Sequence, residues 1–145
     1  MNSPYKKAAA GISVLLAVIV LIAAIQTHAG ADESPPAVVS QTVNGLNAEM
    51  QFGTYPVKRL QNNDFTVILT DSEGKPASRY NLRVRLSMSN MMCGDVSFML
   101  KETAPGVYTG EAVPLMAGLW DADVEAHDGD RVVNFSRTLE AEAAH

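Results

Sequence analysis

From Leu46 onward, apolar and polar residues alternate one by one over several stretches, and that period of two restricts the fold more than any other feature of the chain. Successive side chains of an extended strand point to opposite faces, whereas a helix would scatter the same residues around its circumference. Leu46, Ala48, Met50 and Phe52 alternate with Asn47, Glu49 and Gln51. Phe65, Val67 and Leu69 repeat the pattern, and Asp71-Ser72-Glu73-Gly74-Lys75-Pro76 then supplies turn chemistry. Val84, Leu86 and Met88 form the next inward set, between Arg83, Arg85 and Ser87. Val96, Phe98 and Leu100 follow, and Pro105-Gly106 turns the chain into Val107–Ala112. Trp120, Ala122, Val124 and Ala126 alternate with Asp121, Asp123, Glu125 and His127, Asp128-Gly129 marks a hairpin, and Arg131–Leu139 closes the domain. About seven short strands with no intervening helix predict an all-β fold, an immunoglobulin-like antiparallel β-sandwich over residues 45–139, although the Cys/Trp/Cys signature of that type is absent.

The N-terminal part has a different character. Ala8 to Ile25 is an 18-residue run with no charge, preceded by Lys6 and Lys7, and the next base is Lys58. As a helix it would extend about 27 Å, enough to cross a hydrocarbon core with slight thinning, and the flanking lysines predict that residues 1–7 stay cytoplasmic. Residues 8–25 therefore read as one transmembrane signal anchor, with the C-terminal domain on the extracytoplasmic, periplasmic side. Ala29-Gly30-Ala31 offers the alternative of a signal peptide cleaved near residue 31; the length of the run favours the anchor. Residues 26–44, with Pro35-Pro36, read as a stalk and residues 140–145 as a flexible tail.

Beyond residue 31 the chain holds all 16 acidic residues but nine of the 11 bases, a net charge of −7, which excludes nucleic acid as a natural partner. The outward stripe Arg79, Arg83, Arg85 and the outward stripe Asp121, Asp123, Glu125 are opposite in sign and spaced by two. They predict that these two strands are neighbours, a matter of register and solubility rather than of a binding site.

No nucleophile elbow, phosphate loop or H-E-x-x-H helix is present, and His28, His127 and His145 show no catalytic or zinc-ligand spacing, so no enzyme activity is expected. The unusual chemistry is sulfur. Met88-Ser89-Asn90-Met91-Met92-Cys93-Gly94 places four soft donors within six positions at the end of one strand and in the loop after it. Thioether and thiolate ligands suit Cu(I), and a lone thiol outside the cytoplasm is expected to be buried, metallated or redox-active. Packing is the competing reading, since methionine is an adaptable core filler and free cysteine is usually buried. Met88 continues the inward register of Val84 and Leu86, while Met91, Met92 and Cys93 leave it.

Further residues in order are Phe65-Thr66-Val67-Ile68-Leu69-Thr70-Asp71, the turn Gly74-Lys75-Pro76, Val84-x-Leu86-x-Met88-x-x-Met91, Pro105-Gly106-x-Tyr108 and Leu115-Met116-Ala117-Gly118-x-Trp120. In this set the region from about Met50 to Phe135 resembles the YtkA-like domain family, to which FixH-like proteins are related. The resemblance implies a small extracytoplasmic immunoglobulin-like sandwich, often behind one N-terminal helix. It also implies an association with cation and copper handling and, on the FixH side, with oxidase assembly. Members often carry a Met-x-x-Met loop and a second methionine before Gly-x-Trp, here Met88, Met91 and Met116. The loop lacks the histidine common beside that motif and has Met92-Cys93-Gly94 instead, which leaves Cu(I) rather than Cu(II) as the metal. The expected site is Met88, Met91, Met92, Cys93 and Met116, gathered at one pole of the sandwich. The expected partners are the membrane, through the N-terminal helix, and a membrane metalloprotein or copper transporter. A structural or protein-interaction module without metal is the alternative.

Overall fold

The computed structural model describes residues 34–88, 91 and 94–143. The expected membrane segment 8–25, the cleavage triplet, Met92 and Cys93 lie outside the described residues. Among the described residues no helix is long and apolar enough to cross a membrane.

Nine strands run in chain order: β1 (Val38–Val43), β2 (Leu46–Phe52), β3 (Val57–Lys58), β4 (Asn63–Thr70), β5 (Asn81–Ser87), β6 (Val96–Ala104), β7 (Val107–Ala112), β8 (Gly118–Asp128) and β9 (Arg131–Glu142). They form one curled sheet in the order β1-β2-β4-β7-β6-β5-β8-β9-β3, with β3 joined to β9 in parallel and every other neighbour antiparallel. The curl turns on β6. Its first half, Val96–Leu100, pairs with β5, and its second half, from Lys101, pairs with β7 after which a register irregularity follows at Glu102–Ala104.

The alternation sorts side chains as expected. Leu46, Ala48, Met50 and Phe52 of β2, Phe65, Val67 and Leu69 of β4, Leu82, Val84 and Leu86 of β5, and Trp120, Ala122, Val124 and Ala126 of β8 are buried in one core. Phe52 stacks on Phe65 at 4.7 Å, and Phe65 meets the edge of Phe98 at 6.3 Å, linking β2 and β4 to β6 through the core. The charged stripes do face each other, because β5 pairs with β8 and sets Arg83 opposite Glu125 and Arg85 opposite Asp123.

Four expectations need correction. The strands number nine among the described residues rather than about seven. Residues 38–43, expected in the stalk, form β1 on the edge of β2, so the folded part reaches back into the 26–44 segment. Glu140 and Glu142, expected in a flexible tail, belong to β9, whose last residues hold β3. Arg79 lies before β5 in the left-handed region (φ 66°), and its amide donates to Glu102, so it is not part of the outward stripe.

Candidate functional site

Met88, Met91 and Met116 lie at one pole, where β5 ends and β6 begins and where β7 ends and β8 begins. Met88 is half-buried against the core, as its inward register requires, and its backbone carbonyl accepts the amide of Met91 at 3.1 Å. The Met88 side chain crosses toward the second loop. Gly118 sits at φ +131°, and a Cβ added to it would lie 3.0 Å from the Met88 methyl, so glycine is what lets the two loops approach.

Met116, two residues earlier, is also half-buried against the core. Its carbonyl accepts the Trp120 indole N–H at 2.9 Å, which fixes the loop on the buried ring of β8. Gly94 faces the same loop, since a Cβ added there would lie 4.0 Å from the Leu115 Cδ1. Met88, Met91 and Met116 therefore share one end of the sheet, with Met91 standing 47% exposed. Met92 and Cys93 are outside the described residues. The nearest ion pair joins Arg85 to Asp95 at 3.8 Å, and both side chains are about half exposed. Among the described residues no group of three or more His, Cys, Asp or Glu side chains is placed to hold a metal ion.

Two buried polar residues escaped the alternation pattern although they occupy its inward positions. Asn63, in register with Phe65, Val67 and Leu69, is 7% exposed. Its Oδ1 accepts the Lys58 amide at 2.8 Å, and its Nδ2 donates to the carbonyls of Lys58, Gln61 and Ala112 at 2.8, 2.8 and 3.0 Å. This knot shapes the 59–62 loop at the same pole and holds Leu60 in the left-handed region (φ 57°), with the Leu60 amide donating to Pro114 at 2.7 Å. Arg137, in register with Val133, Phe135 and Leu139, is 3% exposed and donates to the carbonyls of Pro36, Ala37 and Met50 at 2.6, 2.9 and 3.0 Å. Its guanidinium lies 5.1 Å from the Phe52 ring centroid and 5.7 Å from that of Tyr55. Burial pushes its pKa below the ordinary value, and Tyr55 beside it opposes the shift. A polar residue at an inward strand position is the sequence signal for both.

A separate groove of about 450 Å³ lies where β1 approaches β8 and β9, lined by Gln41, Val43, Arg85, Asp123, Glu125 and Ser136 among others. The Gln41 side-chain oxygen accepts the Ser136 amide at 2.9 Å across it.

Comparison with known proteins adds one finding. The family model described as FixH matches residues 7–140, a span that takes in the apolar run, both methionine loops and the whole curled sheet except its last two residues. No curated protein and no solved structure matches the chain.

Proposed function

Since the chain belongs to the FixH family, we propose that it is a membrane-anchored extracytoplasmic protein that binds or hands on Cu(I), or assists assembly of a metalloprotein such as an oxidase in the same membrane. The observation that carries the reading is the meeting of two loops about 25 residues apart in the sequence, each bringing a methionine to one pole: Met88 with Met91, and Met116. Thioethers are soft, neutral donors that hold Cu(I) and discriminate against harder cations. Met92 and Cys93 are the further ligands of this reading. The N-terminal run 8–25 is its anchor, and the curled sheet is the immunoglobulin-like scaffold that holds the two loops.

Packing and ligation are separable by chemistry. Leucine replaces methionine with little change of volume, at a cost usually below about 1.5 kcal/mol, but it has no donor sulfur. The purified full chain in detergent is titrated against a colorimetric Cu(I) chelator. Met88→Leu/Met116→Leu should keep its melting behaviour and lose Cu(I) affinity at least about tenfold, or about 1.4 kcal/mol. Met91→Ala/Cys93→Ser should lose as much again. Wild-type protein that withdraws no copper from the chelator would leave the sulfur pole as packing.

The groove between β1 and β9 favours a second reading, an interaction module whose polar face takes a partner protein. In that case substitutions at Gln41 and Asp123 would abolish partner capture while the methionine variants leave it intact.

A further inference from the structure

The pole that carries the methionines is also where large apolar side chains are left in water. Of the seven exposed large hydrophobics among the described residues, five lie in its loops or at its strand ends: Leu60 (63%), Leu119 (57%), Met91 (47%), Val38 (47%) and Leu115 (41%). We propose that this pole is a bilayer contact, in which Leu60, Leu115 and Leu119 enter the lipid interface and hold the methionine loops at the membrane surface.

The leucines are built into place. Leu60 stays in a backbone region uncommon for a leucine because Asn63 organises its loop and Pro114 accepts its amide. Leu115 follows that same Pro114, and Leu119, the second residue of β8, lies opposite Glu140. Arg59, exposed beside Leu60, supplies a cation for phosphate headgroups. The opposite pole is of another kind, closed by backbone hydrogen bonds among Leu69, Asp71, Lys75, Ala77 and Gly106.

What selects lipid as the occupant is where the chain comes in. Ser34, the first described residue, donates its hydroxyl to the Glu140 carboxylate, level with Leu119. Only residues 26–33 separate it from the apolar run, and eight residues span at most about 29 Å. A run held in a bilayer thus keeps this pole near the surface, while the far pole stands a further 36 Å or so away along the 11 residues of β8. Tethering supplies a high local concentration of lipid, so a shallow apolar contact is sufficient. The proposal rests on the reading of residues 8–25 as a membrane anchor.

Trp120, the only tryptophan in the chain, is buried at this pole and serves as the reporter. The full chain is reconstituted in phosphatidylethanolamine/phosphatidylglycerol vesicles with or without brominated acyl chains, which quench indole at short range. Wild-type emission should fall about twofold in brominated vesicles, as an interfacial contact about 5–10 Å deep requires. Leu60→Ser/Leu115→Ser/Leu119→Ser should abolish the quenching yet stay with the vesicles through an alkaline wash. Met99→Ser/Val132→Ser, which alters exposed apolar residues elsewhere, should leave it unchanged. Quenching that persists in the triple variant overturns the proposal. So does an unquenched Trp120 in protein that remains with the vesicles, a result that would turn the leucines toward a protein partner and leave the anchor reading standing. Wild-type protein released by the wash overturns the anchor reading and the bilayer contact with it.

Discussion

Asn63 occupies a position that its strand neighbours Phe65, Val67 and Leu69 fill with apolar groups, and its amide is the reason the loop before it has a shape. One side chain satisfies the Lys58 amide and the carbonyls of Lys58, Gln61 and Ala112. Asn63→Ala removes all four bonds at a buried site, which should cost about 2–3 kcal/mol and lower the melting temperature by roughly 10–15 °C. Asn63→Asp should be worse, because it turns a carboxylate oxygen toward three carbonyl oxygens in place of a donor. Thermal melts of the two variants give the order directly; an aspartate variant as stable as wild type would show that the amide donors matter little. Tyr108 works in the same manner on the other side of the core. Its buried hydroxyl donates to Ala77 at 2.9 Å and accepts the Tyr80 amide at 3.2 Å, and burial raises its pKa above the ordinary value.

The turn from β6 to β7 shows how an element end is held by charge. The Glu102 carboxylate accepts the amides of Gly106 and Arg79, each at 3.1 Å, and these bonds, Gly106 first, pull its pKa below the ordinary value. Gly106 has φ +73°, and a Cβ there would lie 2.7 Å from the Leu69 carbonyl oxygen, so the turn admits no other residue without moving the β4 backbone. A carboxyl with a lowered folded pKa stabilises at pH values above its unfolded pKa, and the contribution disappears as pH falls through the folded value. Glu102→Gln should therefore melt lower than wild type at pH 7, and the difference should shrink as the pH drops from about 5 toward 3. A difference that stays constant over that range would assign the effect to shape rather than charge. Elements of this kind divide into those visible in the sequence and those that are not. β2, β4, β5, β8 and β9 each present one face to the core, so alternation reveals them, and the opposite charges on β5 and β8 reveal their pairing. β1 is exposed along most of its length, so it has no two-sided pattern to show, and its Val-rich composition was the weaker sign. β3 is two residues in parallel pairing with the distant β9, a contact that no local pattern encodes. At the methionine pole, Met88 was legible through its register. Leu60, Leu115 and Leu119 were not, because exposure of a single leucine leaves no period.

At the scale of the whole molecule, the curl has an open seam where β1 comes beside β9 without a backbone ladder, since the sheet order places β1 at one end and β9 next to the other. Side chains close it. Gln41 takes the Ser136 amide, Arg131 donates to the Asn44 carbonyl at 2.9 Å, and Arg137 reaches across to Pro36, Ala37 and Met50 from inside the curl. Arg137 is the member of this set that is buried, and its partners are carbonyls and two aromatic faces, so the closure is insensitive to the protonation of any acid at that point. Truncating it removes the donor that Pro36, Ala37 and Met50 share and frees the start of β1 from β9. Arg137→Leu should cost about 3 kcal/mol, and Arg137→Lys should recover only part of that, because an ammonium group cannot serve the same fork of carbonyls while lying against Phe52 and Tyr55. The distribution of the loss is the sharper measurement. Amide hydrogen exchange in residues 38–43 should accelerate far more than in β5 and β8, which keep strand partners on both sides. Uniform acceleration would mean that Arg137 supports the core as a whole, whereas unchanged exchange in β1 would mean that pairing with β2 alone holds that strand and that the seam is closed without the arginine.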